Sequence, residues 1–462
     1  MPQFKSIDIE VLKKYDKPGP RYTSYPTAPL FTDSFGPEQY REEIIRTNAE
    51  LYSTDLSLYF HFPFCDTLCF FCGCTMLVTH DRKRIGEYNK YIKKEIDLTA
   101  PLISAERKSA QLHWGGGTPS YLSPDEIKDV GMYTREKFHF DDDIEASVEI
   151  DPRGLTFEHM QAFKESGFNR ISMGVQDFNP EVQQAINRIQ SEKITRDAVE
   201  WSRALGFKSV NLDLIYGLPF QTIEAFEKTV DRIIDISPDR IAVFNYAHVP
   251  WLKKHQTIIK QDTLPTPDMK LQILKMTIEK LHEAGYWYIG MDHFAKPDDE
   301  LSIAQGSKTL YRNFQGYSTK SGCDVYAFGM SGISQFRNIY AQNFKDLPDY
   351  FGRMDAGQFA TKVGYTMTED DHIRKYTIMR LMCDMELSKP DVESRFGIEF
   401  DEYFSDSLKK LDEFIEGGFI TLEQGKYKVI ENGRLIIRNI AMCFDAYLEK
   451  MKADKPIFSR TV

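Results

Sequence analysis

The chain has no run of about 18 apolar residues, the length a helix needs to cross a bilayer, so no membrane span is expected. Its start, MPQFKSIDIEVLKKYDKPGPRY, lacks the apolar core of a signal peptide, and Asp8, Glu10 and Asp16 argue against a transit peptide. A basic excess is also missing. The formal charge is -11 and the pI about 5.5, which argues against non-specific nucleic-acid binding, because that needs a cationic face. It leaves room for an anionic ligand held in a local basic pocket. No internal repeat or low-complexity tract occurs. Cysteine is scarce, with seven in 462 residues and four of them bunched. That is not the disulfide framework of a secreted domain, and a reducing cytoplasm is the expected setting.

What the chain has is the bunch itself. Cys65, Cys69, Cys72 and Cys74 lie in LYFHFPFCDTLCFFCGCTMLVTH, the first three spaced C-x3-C-x2-C. Structural zinc sites usually show two separated ligand pairs, and no second pair exists here; Cys323, Cys383 and Cys443 are far apart. Four clustered thiols could close a zinc site alone, but Cys72-Gly73-Cys74 would crowd two ligands on one metal. A compact loop of three thiolates suits an iron–sulfur cluster with one iron left open for another ligand. Cys74 reads either as a packed or free thiol or as a neighbour of the cluster that does not ligate it.

Short apolar segments alternate with helical ones from Leu58 onward. Strands are expected at Leu58–Phe62, Ala110–Trp114, Ile144–Ile150, Arg170–Met173, Ser209–Leu214 and Arg240–Tyr246. Helices are expected at Arg84–Leu98, Pro124–Phe138, Thr156–Ser166, Thr195–Leu205 and Thr222–Ile236, with Gly167 placed to stop the third. Six repeats of strand and helix predict parallel βα units with right-handed crossovers, closed into a barrel or an open part of one. Residues 1–50 read as a mostly irregular arm that docks, because PGPRYTSYPTAP is too aromatic for a loose tail. Residues 51–290 form the barrel and 291–367 a glycine- and aromatic-rich extension. Residues 368–462 form a mainly helical, winged-helix-like domain with a hairpin at Phe419–Leu422 and Lys426–Ile430.

The unusual polar residues all fall at the C-terminal ends of the expected strands, the rim where βα barrels assemble active sites. Gly115-Gly116-Gly117-Thr118 is either a tight turn or a nest of N–H groups for an anion. Glu149 and Asp151 end the third expected strand. Glu149 and Asp213 each interrupt an apolar alternation, and a carboxylate inside a barrel is costly unless paired, which favours ligand contacts. Gln176 and Arg188 read, on their own, as a turn amide and a surface arginine.

These motifs resemble the radical S-adenosylmethionine (SAM) enzymes, whose mark is C-x3-C-x2-C after a strand followed by GGGTP. Within them the chain is similar to the oxygen-independent coproporphyrinogen III oxidases over nearly its whole length. The likeness runs through PRYTSYPTA (20–28), FCGCT (71–75), HWGGGTPSYL (113–122), SVEIDPR (147–153), GVQDF (174–178), INRIQ (186–190), NLDLIYGLP (211–219), YRNFQGY (311–317) and GRLIIRNIAMCFDAYL (433–448). The resemblance implies a partial (β/α)6 barrel and a [4Fe–4S] cluster on Cys65, Cys69 and Cys72, with S-adenosylmethionine on the open iron. It implies two S-adenosylmethionine molecules, contacted by Tyr59, Phe71, Gly116, Gly117, Thr118, Glu149, Gln176, Arg188, Asp213, Ala247 and Ile333. The implied reaction turns two propionates of coproporphyrinogen III into vinyl groups through a 5′-deoxyadenosyl radical, giving protoporphyrinogen IX for haem synthesis. It implies a monomer whose electron donor and acceptor the sequence leaves open. Arg21, Arg153, Arg188, Lys308, Arg312 and Arg337 are candidates to meet the substrate's carboxylates. The competing reading is a haem-trafficking relative without decarboxylase activity. Such relatives usually lack a cysteine at the place of Cys74 and lack the PRYTSYPTA arm.

Overall fold

The computed structural model describes residues 7–49, 54–451 and 458–461, so the expected boundary between arm and barrel at residues 50–51 lies outside the described residues. Side-chain alternation makes the central strands. In LSLYFHF (Leu56–Phe62, β1), Leu58, Phe60 and Phe62 share one face and Ser57, Tyr59 and His61 the other. The apolar face packs aromatic on aromatic, with Phe60 stacked on Phe328 at 4.7 Å and Phe62 against Trp114 at 4.7 Å. The polar face joins a network in which Ser57 donates to Gln111 and Gln111 donates to Glu145 and Ser318.

Ser109–Gly116 (β2), Phe140–Ile150 (β3), Arg170–Gln176 (β4), Ser209–Tyr216 (β5) and Arg240–Asn245 (β6) follow β1, each parallel to the one before. The connections carry Arg82–Thr99 (α1), Pro124–Lys137 (α2), Phe157–Glu165 (α3), Glu192–Ala204 (α4) and Ile223–Ile236 (α5), with Pro267–Glu283 (α6) after β6. Local chemistry sets their ends. Ser123 and Glu126 form a capping box at α2, a device whose cap residue contributes about 1 kcal/mol. Gly167, at φ +97°, turns the chain out of α3.

The sheet does not stop at the six expected strands. Trp287–Gly290 (β7) and His293–Ala295 (β8) extend one edge. Asp324–Phe328 (β9), Ile333–Gln335 (β10), Ile339–Asn343 (β11) and Thr361–Thr366 (β12) extend the other, in the order β12-β11-β10-β9-β1-β2-β3-β4-β5-β6-β8-β7. β9 is parallel to β1, and a buried ion pair between Arg107 and Asp324 at 2.7 Å pins it there. Tyr311–Asn313 and Gly316–Ser318 form a separate hairpin.

The arm is less irregular than expected. Ile9–Tyr15 is a helix capped by Asp8, and Pro37–Ala49 is a second; each buries an apolar face, with Leu12 and Ile44 fully inaccessible. These amphipathic turns are short and set among prolines, which hides their period. Between them the chain docks. Arg438 donates to the carbonyls of Gly19, Pro20 and Arg460, Tyr22 donates to Asp445 at 3.0 Å, and Tyr25 accepts from the N–H of Ala446 at 3.1 Å. Pro18 and Arg460 form an antiparallel bridge.

Past residue 366, helices Glu369–Asp384, Lys389–Phe396 and Ser405–Glu416 pack with the hairpin Ile420–Glu423 and Lys426–Val429. Gln424 and Gly425, both at positive φ, make its turn. Glu386–Ser388 adds a third strand that the sequence pattern did not suggest.

Candidate active site

Strand register builds the site. Tyr59 on β1 lies beside His113 on β2, which lies beside Ser147 on β3; two residues on, Glu149 faces Ser172 of β4, and Gly174 of β4 faces Asp213 of β5. One cavity of about 670 Å³ at this rim is lined by Cys65, Cys69, Phe71, Cys72 and Cys74. It is also lined by Gly116, Gly117, Thr118, Glu149, Gln176, Arg188 and Asp213. Tyr59, Ala247 and Ile333 are not in that lining. Tyr59 is bonded to His61 at 3.0 Å and stacks on His113, Ala247 is exposed just past β6, and Ile333 opens β10 beyond β1.

The glycine loop works by closeness rather than as a nest. Gly116 donates to Glu149, Gly117 to the carbonyl of Phe62, and Thr118 to the carbonyl of Phe64, so these N–H groups are taken by the protein. A Cβ on Gly115 would come within 2.8 Å of Glu149 Oε2, and one on Gly117 within 2.5 Å of the Pro63 carbonyl. The anion-nest alternative therefore fails, and the glycines let the loop lie flat on the end of β1. Thr118 Oγ1 reaches Cys65 Sγ at 3.2 Å.

Charge is arranged around each acid. Glu149 has burial against its ionisation, but His113 at 3.3 Å, the Gly116 N–H and His61 outweigh it and hold the carboxyl below its usual range. Its side chain stays 46% exposed, open to the cavity. Burial, with the charge of Glu149, pushes Asp213 up to about 7, against a hydrogen bond from Asn211 at 2.7 Å. Asp151 is half-buried, and Arg188 and Arg153 outweigh that desolvation and hold it below its usual range.

Sequence reasoning missed what surrounds the thiols. Arg188 is not a surface residue: it is 7% exposed and donates to Asp151 at 2.9 Å and to the carbonyl of Gly174 at 2.8 Å, and its Nη1 lies 3.7 Å from Cys69 Sγ. Arg153 approaches the same sulfur at 3.4 Å. The one signal was the DPR that ends SVEIDPR. Three side chains from the loop after β6 clamp the cysteine loop from outside. Lys253 donates to the carbonyl of Cys74, His255 bonds that of Cys72, and Gln256 donates to that of Phe71. No sequence motif marked them.

The donor set fits a cluster and its cofactor. Among the described residues no three His, Cys, Asp or Glu side chains stand close enough to hold a single metal ion. Cys65, Cys69 and Cys72 all line the one cavity, a thiol set of the kind that iron–sulfur clusters take as thiolates. Gln176, at φ +68°, presents a buried Oε1 with no partner in the cavity wall, which fits a hydrogen-bond donor on a bound cofactor.

Comparison with known proteins agrees. The Radical SAM superfamily model matches residues 59–233, and the HemN C-terminal domain model matches residues 367–436. The oxygen-independent coproporphyrinogen III oxidase of Salmonella typhimurium is 45% identical over 98% of each chain, and that of Escherichia coli 44% over the same share. The relative from Pseudomonas aeruginosa is 43% identical, again over 98% of both. The solved coproporphyrinogen III oxidase (HemN) of Escherichia coli, described as a radical SAM enzyme, superposes with a TM-score of 0.91. It is 43% identical, and the match covers 96% of this chain and 100% of that one.

Proposed function

The chain belongs to the oxygen-independent coproporphyrinogen III oxidases, and on that premise we propose how its own residues carry out the anaerobic conversion of coproporphyrinogen III to protoporphyrinogen IX. Cys65, Cys69 and Cys72 would hold the [4Fe–4S] cluster. Glu149, Gln176 and Asp213 would orient S-adenosylmethionine beside it, with Tyr59, Phe71, Ala247 and Ile333 contributing to two such molecules. When bound, these groups supply a 5′-deoxyadenosyl radical able to take hydrogen from a propionate β-carbon. The protein's share is orientation and exclusion of water.

Arg153 and Arg188 set positive charge against the Cys69 sulfur, at 3.4 and 3.7 Å. Glu149 holds its place through His113 and the Gly116 N–H, leaving its open side for cationic or hydroxyl groups of the cofactor. Asp151 pairs with both Arg153 and Arg188 at the cavity wall. The docked arm shields the barrel, where a carbon radical must survive until CO₂ leaves.

The observation that carries this reading is the single cavity shared by the three cysteines, Glu149, Gln176 and Asp213. The test is an anaerobic assay with coproporphyrinogen III, S-adenosylmethionine and dithionite. Release of CO₂ with formation of vinyl groups is expected; tight haem binding with no CO₂ would instead identify a trafficking protein.

A further inference from the structure

The structure separates the candidate arginines by what their donors already hold. Arg153 and Arg188 are spent on Asp151, and Lys308 pairs with Glu386 at 2.6 Å. Arg337 lines a different cavity, near the opposite ends of the strands. Arg438 uses its donors on the carbonyls of Gly19, Pro20 and Arg460. Arg312 differs. It is 2% exposed, its Nε donates to the carbonyl of Arg21 at 3.1 Å, and its Nη1 is buried with no partner.

A buried guanidinium N–H without an acceptor is costly and rare, and here it is not alone. His293 carries a buried Nδ1 with no partner, its ring edge-on to Tyr317 at 5.3 Å, and the Arg312 guanidinium lies 4.7 Å over that same Tyr317. Arg21, from the arm, lies 5.6 Å over Phe244, which also meets the edge of His293. Asp292 pairs with Arg21. Register places this cluster: Asp213 of β5 faces Ala242 of β6, and Ala242 faces His293 of β8. The cluster thus lies at the level of Asp213, two strands along the same sheet.

We propose that Arg312, Arg21 and His293 receive one carboxylate of the tetrapyrrole, belonging to a propionate that remains in the product. This rests on the decarboxylase reading and adds the receptor to it. Planar guanidinium forks match carboxylates. A receptor of this charge stabilises the carboxylate over neutral CO₂, so it suits a side chain that is kept rather than one that is lost.

The test is a cycle of binding measurements on the cluster-loaded protein, read by fluorescence of the oxidised tetracarboxylate porphyrin. The same porphyrin with its two retained propionates methylated is the second ligand. Wild-type protein is expected to lose about 10- to 100-fold in affinity on methylation. Arg312→Gln should bind the free acid about that much more weakly and show little further loss with the ester. Its affinity for S-adenosylmethionine should be unchanged. Wild-type affinity in Arg312→Gln, or equal losses for acid and ester, would overturn the proposal. Should Arg312→Gln fail to fold, Arg21→Gln in the same cycle decides. Because the readout is binding, a failure of the decarboxylase reading shows separately, as no CO₂ from the wild type.

Discussion

Cys69 is met by two guanidinium groups, Cys65 by a threonine hydroxyl, and Cys72 by the Cys74 thiol and backbone N–H. That asymmetry sets an expectation for each. Replacing Cys65, Cys69 or Cys72 by Ala should remove the cluster, read as loss of iron and of the visible absorbance. Cys74→Ser should keep both, since the serine hydroxyl and N–H still reach Cys72; loss of iron there would make Cys74 a ligand.

Asp213 gives a pH test. Its carboxyl, raised to about 7, keeps its proton in the free protein below that pH, while the ionised form is the stronger acceptor for cofactor hydroxyls or ammonium. Binding therefore expels a proton at acid pH. Affinity for S-adenosylmethionine should rise with pH and level off above about 7. Asp213→Asn should flatten that slope and weaken binding about 10- to 100-fold at pH 8, measured by anaerobic calorimetry.

At the scale of elements, the cysteine loop, the six parallel strands and their helices were legible because each is set by local pattern: apolar alternation, N-caps, a stopping glycine. Other pieces depend on distant partners. β9 contains DVYAF, whose place beside β1 depends on Arg107, and the short helix Ile9–Tyr15 depends on a buried face against α6. The docking of the arm was legible in its tyrosines, but not the arginine that clamps it, since Arg438 sits in a C-terminal helix with no local mark. Arg438→Gln should leave the carbonyls of Gly19, Pro20 and Arg460 short of donors and cost about 1.5–3 kcal/mol. Faster proteolysis within residues 16–30 at unchanged iron content is the expected result. Unchanged protection would mean that the tyrosines alone hold the arm.

Over the whole molecule, one continuous hydrophobic cluster runs from the arm's Leu12 and Tyr22 through Phe60 and Trp114 to Ile378, Leu387 and Ile440 in the C-terminal region. The sequence boundaries suggested separable domains, but shared burial couples them. Calorimetric unfolding should show a single transition for arm, barrel and C-terminal helices, and a protein ending at residue 366 should fail to give a cooperative melt. Two resolved transitions would show independent units.

The bridge between Pro18 and Arg460, reinforced by Arg460 bonding Asp16 across 444 positions, has a consequence in time. During synthesis, the arm is made first and the segment that latches it last. The barrel strands and the cysteine loop can assemble before Arg438, Asp445 and Arg460, which hold the arm's Pro18–Tyr22, have been made. The arm is thus latched only as translation ends, and whatever has to be installed beneath it meets an unsealed vessel until then.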